Sequence, residues 1–285
     1  HCVFDLVPQD FLMELCEVKN LVTQHVFDTY DKPSNYLHLS NVQRLLHKIK
    51  HQKLNLNNKG ARNLYLSQVT ANKVNKLINR PQYIDYNLFG TVTGRLTTFE
   101  KSFPILTLKK VFRKLLKPQN NLFVSYDYNG AEIRTLLHLS GQEQPKGDIH
   151  QWNIDNVFKR DIDRDLAKTL FFGWLYNPDS TMFDDSTYDK KKLLAKWYKG
   201  GYITTPYQRR IQVSRRKAFN YLIQSTTADR VLEKAVIIDE LLEGKKSFIS
   251  HIMHDEIVLD FHREDVKMLP VVKRVFETEG FKTNI

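Results

Sequence analysis

Apolar and polar residues alternate between residues 250 and 262, where the sequence reads SHIMHDEIVLDFH. Such alternation is typical of β-strands that bury one face. Two adjacent acids, Asp255 and Glu256, interrupt the pattern. We therefore predict a pair of strands over residues 247–261, with His254 and these two acids at the bend.

Helical spacing of apolar residues dominates the first 80 residues. Residues 8–30 predict a helix with one buried face, and the apolar stripe on that face consists of Leu12, Leu15, Cys16, Val22 and Val26. Residues 40–53 predict a second helix, capped by Ser40, and residues 69–80 predict a third. This part of the chain is basic. The basic residues either form a solvated surface or bind the phosphate backbone of a nucleic acid, and the sequence leaves both interpretations open.

Strand-like and helix-like segments occur in blocks after residue 82. Aromatic and β-branched residues predict strands in 83–92 and 121–128, and a helix follows over 131–140. The remaining segments are helices over 164–176 and 188–199, an Asp-rich loop at 177–187, a turn at 200–210, a long helix from about Ser214 to Leu242 and a last helix over 264–279. Blocks of this kind predict an α+β fold with an antiparallel sheet.

Composition narrows the class of protein. The 285 residues are 41% hydrophobic, which suits a globular protein with a sizeable core. No apolar run approaches the roughly 20 residues that cross a bilayer, and no secretion signal is apparent. The two cysteines, Cys2 and Cys16, are too few for a disulfide framework. A net charge of +11 favours polyanionic partners, nucleic acid first, although solubility alone can account for it.

Carboxylates stand at places where packing alone does not require them. Asp127 ends the strand in SYDYNGAEIR, Glu132 follows five residues later, and Asp255 and Glu256 lie at the predicted bend. Carboxylates from neighbouring strands can bind divalent cations, and two cations roughly 4 Å apart can hold both reacting oxygens of a phosphoryl transfer. Taken singly, each acid is also typical of a turn or a solvated bend.

One face of the helix predicted over 164–176 combines charge with aromatic rings. Arg164, Lys168, Phe172 and Tyr176 follow at four-residue steps and therefore share a face. The cations can neutralise a triphosphate, and the rings offer a flat surface to a base. The face predicts a nucleotide site, with an ordinary amphipathic surface as the alternative.

Six motifs occur in a characteristic order. They are TVTGRLTT (91–98), DYNGAEIR (127–134), DIHQ (148–151), RDLAKTLFFGWLY (164–176), RRKAFNYLIQSTTAD (215–229) and MHDEIVLDF (253–261). In this order they resemble the motifs of the family A DNA polymerases, the bacterial DNA polymerase I-like family. The resemblance covers about two thirds of the chain and fades before residue 80.

The resemblance implies a right-hand polymerase fold with an antiparallel-sheet palm, helical fingers and a reduced thumb. The N-terminal helical region, with the reduced thumb and the entry to the palm, would cover residues 1–80. The palm would cover 81–140 and 218–285, and the fingers 141–217.

The resemblance also implies a metal site. Asp127 and Asp255, with the backbone carbonyl of Tyr128, would bind two Mg²⁺ ions. Glu256 would support these acids, with a solvated bend residue as the alternative reading. Together with Lys168, the three acids form the implied catalytic set.

Further residues are implied as nucleotide and DNA contacts. Those for the incoming nucleotide are His150, Arg164, Lys168, Phe172, Tyr176 and Glu132, the last of which would crowd a ribose 2′-hydroxyl. Those for DNA are Arg95, Arg216, Asn220, Gln224 and His254, of which Arg95, Asn220 and Gln224 would reach minor-groove acceptors. The basic segment 189–217, with its aromatic residues, would suit single-stranded template, and a solvated surface is the alternative.

We therefore expect a template-directed DNA polymerase that adds dNTPs to a primer 3′-hydroxyl in the cytoplasm of a bacterium or of a phage-infected cell. Its partners would be primer-template DNA and dNTPs, with no membrane, and other replication proteins or a separate nuclease domain stay open. The sequence carries no carboxylate set of a 3′-5′ exonuclease, so we expect no proofreading. Two alternatives are a single-subunit RNA polymerase, against which Glu132 argues, and an inactive DNA-binding relative, against which Asp127 and Asp255 argue.

Overall fold

The structure, a computed structural model, describes residues 6–65, 67–183 and 188–284. Cys2 and residues 184–187 of the predicted Asp-rich loop lie outside the described residues. The chain divides into two compact units, His1–Leu37 and His38–Ile285. In the described part, no helix has both the length and the apolar character that a membrane span needs.

Helices make up most of the regular structure. Those of the described residues are α1 (Gln9–Thr29), α2 (Tyr36–Lys50), α3 (Gln68–Ile78), α4 (Ala131–Leu139), α5 (Ile149–Asn153), α6 (Arg164–Tyr176), α7 (Lys190–Trp197), α8 (Arg215–Leu241) and α9 (Leu269–Phe276). The helices predicted for α3, α4, α6, α7 and α8 are confirmed apart from their end residues.

The strands are short outside one central sheet. They are β1 (Asn55–Leu56), β2 (Tyr86–Asn87), β3 (Thr97–Thr98), β4 (Leu116–Lys117), β5 (Leu122–Tyr128), β6 (Tyr198–Lys199), β7 (Tyr202–Thr204), β8 (Arg210–Gln212), β9 (Phe248–Met253), β10 (Glu256–Phe261) and β11 (Thr283–Asn284). The central sheet has the order β11-β5-β10-β9, and every neighbouring pair is antiparallel. The predicted α+β fold with an antiparallel sheet is therefore confirmed.

The predicted strand pair is present as the hairpin β9–β10. Its bend consists of His254 and Asp255, because Glu256 already pairs with Met253. Next to it, β5 pairs with β10 along six residues, from Asp127 opposite Glu256 to Leu122 opposite Phe261. The ladder thus brings the end of β5 beside the bend of the hairpin.

Two apolar cores flank the long helix α8. The first surrounds the central sheet and includes Tyr126 and Leu259. The second lies among α4, α6, α7 and α8 and includes Trp174. Since α8 contributes Leu232 to the first core and Leu222 to the second, this helix joins them. The predicted boundaries at residues 80, 140 and 217 stay a prediction.

The first helix departs from the sequence prediction. Residues 9–29 are helical as expected, but none of them is buried. Of the predicted stripe, Leu12 and Leu15 are partly buried, whereas Cys16, Val22 and Val26 are exposed. Among the described residues of the unit His1–Leu37, no second layer covers the apolar face of this helix.

Other elements differ in extent from their predictions. The second helix begins at Tyr36, so Ser40 lies inside it and caps nothing. The segment 83–92 holds only the two-residue strand β2, whereas the predicted turn at 200–210 is part of a three-stranded sheet of β6, β7 and β8. The last predicted helix consists of a 3₁₀ segment, Arg263–Met268, followed by α9. Strands of two or three residues are too short for a periodic signal.

Candidate active site

A cleft of 460 Å³ opens where β5 ends and the β9–β10 hairpin bends, and α6 lines its other side. Most residues predicted for the site line this cleft: Arg95, Asp127, Tyr128, Glu132, His150, Arg164, Lys168, Phe172, Tyr176, His254 and Asp255. The predicted residues Arg216, Asn220, Gln224 and Glu256 do not line it.

Two carboxylates come together in the cleft because of strand register. Asp127 pairs with Glu256, and Asp255 is the residue before Glu256 at the hairpin bend. The bend needs an unusual backbone, and His254 supplies it with a φ of 56°, as two-residue hairpin loops require. Burial and the charge of Asp255 raise the pKa of Asp127 to about 6, and burial also raises the pKa of Asp255. Such mutually unfavourable negative charges attract a cation.

Glu256 is only partly exposed and pairs with a cation that the sequence did not single out. Its Oε2 lies 3.0 Å from Nη1 of Arg113, and its Oε1 accepts a 2.6 Å hydrogen bond from the Ser125 hydroxyl. The alternative of a solvated bend residue is therefore wrong. Arg113 also lowers the pKa of Asp127 through its charge, against the larger effects of burial and Asp255. Arg113 comes from the 3₁₀ segment Lys110–Leu115, which local patterns do not link to the hairpin.

The start of α6 is held to the opposite wall by an ion pair. Nη2 of Arg164 lies 2.7 Å from Oδ2 of Asp148, and Nε of Arg164 lies 3.3 Å from Oδ1. Burial alone would raise the pKa of Asp148, but hydrogen bonds from Arg164 and Asn129 hold it well below its usual range. His150 lies beside this pair, and burial lowers its pKa, so its imidazole is neutral near pH 7.

The end of α6 is held by a second carboxylate. Glu132, a buried residue in the first turn of α4, accepts a hydrogen bond from the Tyr176 hydroxyl on one oxygen and from Nη2 of Arg95 on the other. Burial and the Glu132 bond raise the pKa of Tyr176. Phe172 stacks on Tyr176 with ring centroids 5.9 Å apart, so both rings face the cleft from one side of α6.

The tight turn that follows β5 packs against α5, the helix that carries His150. Gly130 has a φ of 68°, and a Cβ there would lie 2.4 Å from the Ile149 side chain. Asn129 uses the same turn, since its Oδ1 accepts from Ile149 N at 2.9 Å and its Nδ2 donates to Asp148 at 2.8 Å. A side chain with both a donor and an acceptor thus joins the end of β5 to α5.

A buried guanidinium supports this turn from behind. Arg134 donates to the carbonyl oxygens of Asn129 and Gly147, each at 2.8 Å, and of Pro145 at 3.0 Å. Burial lowers its pKa to about 10, which leaves it charged at neutral pH. Arg134 and Asp148 both lie within the six motifs, but local patterns gave neither residue a role, because their contacts join separate segments.

The residues predicted to contact DNA outside the cleft lie on or near α8. Arg216 is exposed and forms an ion pair of 2.6 Å with Asp179. Asn220 and Gln224 are partly buried, and Oδ1 of Asn220 has no hydrogen-bond partner among the described residues. These positions do not test the predicted roles.

The basic segment 189–217 is only partly free for a polyanion. Arg210 stacks over the ring of Tyr202 at 4.2 Å, Lys196 lies 4.9 Å from the ring of Trp197, and Tyr207 donates to Glu233. In the N-terminal basic part, Lys48 pairs with Asp239 at 2.5 Å and Lys50 with Asp85 at 2.8 Å. These two lysines of α2 therefore form ion pairs within the protein and do not contact solvent alone.

Comparisons with known proteins agree with the fold. Curated relatives include a DNA polymerase of Mycobacterium phage D29, 28% identical over 54% of the chain, and DNA polymerase I of Thermus aquaticus, 26% identical over 67% of the chain. A solved structure, titled as the POL domain of Pol1 from M. smegmatis in complex with DNA primer-template and dNTP, matches with a TM-score of 0.60, at 19% identity, over 73% of this chain and 48% of that one. No protein-family model matches the chain.

The chain is thus similar in sequence to bacterial and phage DNA polymerases and in fold to a polymerase domain. It spans 31% of the phage polymerase and 29% of the Thermus enzyme. Among the described residues, no group of three or more His, Cys, Asp or Glu side chains is placed to hold a metal ion.

Proposed function

We propose that the chain is a template-directed DNA polymerase that adds dNTPs to a primer 3′-hydroxyl. The observation that supports this most is the meeting of Asp127 and Asp255 in one cleft with the cationic face of α6. Such a cleft has negative groups for cations on one side and positive groups for a triphosphate on the other. The likeness to DNA polymerase I relatives supports the same activity.

The two aspartates fit divalent cations of the magnesium type. Carboxylate and carbonyl oxygens are the ligands that Mg²⁺ takes. Burial, and after it the charge of Asp255, raises the pKa of Asp127, and a bound cation would offset this destabilisation of its carboxylate. Asp127, Asp255 and the carbonyl of Tyr128 would hold two ions. When bound, these ions would lower the pKa of the primer hydroxyl and stabilise the leaving pyrophosphate.

The face of α6 would bind the incoming nucleotide. Arg164 and Lys168 supply fixed positive charge where negative charge develops on the phosphates, which lowers the barrier to transfer. Neutral His150 can donate one hydrogen bond to a phosphate oxygen. The ring of Phe172 would pack against the sugar and base, and Tyr176 would lie beside the template-side base.

Sugar choice would depend on Glu132. Because Arg95 and Tyr176 hold its two carboxylate oxygens, the side chain is fixed in place. A fixed acid there would clash with a ribose 2′-hydroxyl, which favours dNTPs.

The same proposal covers the DNA. Arg95, Asn220 and Gln224 would contact the minor groove near the primer end, with His254 at the terminal phosphate and Arg216 as a further contact. The M. smegmatis protein is described with DNA primer-template and dNTP, which supports these partners here. Proofreading would require another protein or domain, and the bacterial and phage sources of the relatives support a cytoplasmic setting.

Extension of a labelled primer by the purified chain tests the proposal. Incubation with primer-template, Mg²⁺ and dNTPs should lengthen the primer in a template-dependent way, and EDTA should stop it. Matched reactions with rNTPs should give little product. Efficient use of rNTPs would favour the RNA polymerase alternative, and binding of duplex without extension would favour an inactive relative.

A further inference from the structure

Asp148 contacts two of the three residues that the proposed function assigns to the triphosphate, Arg164 and His150, and it has no assigned role of its own. Its Oδ1 accepts hydrogen bonds from the backbone N–H of His150 at 3.0 Å and of Gln151 at 2.9 Å. Its Oδ2 accepts from Nη2 of Arg164 at 2.7 Å and from Nδ2 of Asn129 at 2.8 Å. One carboxylate thus joins α5, α6 and the turn that follows the catalytic strand β5.

The way in which Asp148 holds Arg164 leaves part of the guanidinium free. The carboxylate takes the edge formed by Nε and Nη2, at 3.3 and 2.7 Å. A guanidinium has five N–H donors, so Nη1 and its two hydrogens remain for a ligand. Since Arg164 lines the cleft, the pairing directs the remaining donors without consuming them.

We propose that Asp148 is a positioning residue for the incoming triphosphate, acting through Arg164 and the backbone of His150. Without the charge of Asp148, Arg164 loses the partner that fixes its guanidinium group. Its long, flexible side chain must then become ordered when the nucleotide binds. That ordering cost weakens nucleotide binding. The inference rests on the proposed function, but it concerns nucleotide affinity and not the chemical step.

The chain offers a matched pair of substitutions. Asp148→Asn keeps the capping oxygen, because Asn and Asp are equally good N-caps. It removes the charge that faces Arg164 and the oxygen that accepts from Asn129. Asp163→Asn makes the same change at the N-cap of α6, where Asp163 accepts from the backbone N–H of Asp165 at 2.9 Å and Leu166 at 3.3 Å. Among the described residues, Asp163 forms no ion pair, and its charge acts on Arg164 less than that of Asp148, so Asp163→Asn controls for the cap and for the loss of a nearby charge.

Single-turnover incorporation separates affinity from rate. For Asp148→Asn, the apparent Kd for dNTP should rise about tenfold, the low end for losing a charge-assisted hydrogen bond at a partly exposed pair. The maximal incorporation rate and the Kd for duplex should change less than about twofold, and Asp163→Asn should match wild type. An unchanged or lower Kd for dNTP in Asp148→Asn would overturn the proposal.

A double-mutant cycle tests whether Asp148 acts through Arg164. In an Arg164→Ala background, Asp148→Asn should add less than about a twofold change, because residues in one interaction are not additive. A full and additive effect in that background would show another route and overturn the inference. If Asp148→Asn does not fold, Asp148→Ser takes its place in these measurements. The serine keeps a capping oxygen, but this oxygen cannot reach Arg164.

A binding measurement keeps this proposal independent of catalysis. If wild type extends no primer, the proposed polymerase function fails. The Kd for Mg²⁺-dATP by isothermal titration calorimetry still compares the same variants. A weaker Kd in Asp148→Asn and not in Asp163→Asn then supports the positioning role, and equal values in all three proteins overturn it.

Discussion

The Tyr176 hydroxyl donates a hydrogen bond to Glu132 and so ties the last residue of α6 to the first turn of α4. Arg95 holds the other oxygen of the same carboxylate. A buried acid with both oxygens engaged has little freedom to move aside for a bulkier ligand. The contact therefore carries a prediction about sugar selection.

Replacing Glu132 by Ala should relax selection against ribonucleotides. The ratio of kcat/KM for dATP to that for ATP should fall by about tenfold to a hundredfold, the range that one shape contact commands. Glu132→Gln, which keeps the shape, should retain most of the selectivity. An unchanged ratio in Glu132→Ala would remove this residue from the sugar gate.

Asp127 should destabilise the cation-free fold. Its folded-state pKa of about 6 lies above the unfolded value of 3.8, so its contribution to stability is present below pH 3.8 and lost as pH rises through 6. At pH 7.5 in EDTA, Asp127→Asn should raise the free energy of unfolding by roughly 1 kcal/mol, after discounting for partial exposure. Urea titration measures this.

The same pair of proteins tests cation binding without any reaction. Mg²⁺ should raise the unfolding midpoint of wild type, because a ligand that binds only the folded state stabilises it. The midpoint of Asp127→Asn should respond much less. Equal Mg²⁺ responses would mean that the cation binds elsewhere.

His251 should make the fold sensitive to mild acid. It is fully buried, and burial lowers its pKa to about 3, below the unfolded value of 6.5. The contribution of His251 to the free energy of unfolding is present above pH 6.5. It is lost as the pH falls, because only the unfolded state then takes up a proton on this residue. Between pH 7.5 and 5.0, wild type should lose about 2 kcal/mol more than His251→Gln. Parallel pH dependences of the two proteins would contradict this.

Local patterns predicted the elements that carry the site. Alternation along residues 247–261 predicted the β9–β10 hairpin and the acids near its bend, and the motif order predicted the polymerase fold. Four-residue spacing placed Arg164 and Tyr176 on one face of α6, and both line the cleft. These signals are strong because each repeats within a single element.

Other parts of the site had no local signal. Arg113 contacts Glu256 from 143 residues away, and Asp148 contacts Arg164 from 16 residues away with α5 between them, so neither pairing leaves a periodic signal in the sequence. The burial of α1 was predicted wrongly because an apolar stripe indicates a face without indicating what covers it. Contacts between separate segments therefore required the structure.

Single-nucleotide incorporation by Asp255→Asn, set against wild type, tests the central claim most directly. If Asp127 and Asp255 together hold the cations at the primer end, loss of one of these carboxylates should lower the incorporation rate by about a thousandfold or more. The affinity for primer-template, measured by fluorescence anisotropy, should stay within about threefold of wild type. Basic side chains outside the two aspartates would contact the DNA phosphates and provide most of the binding free energy. Near-normal incorporation by Asp255→Asn would contradict the account.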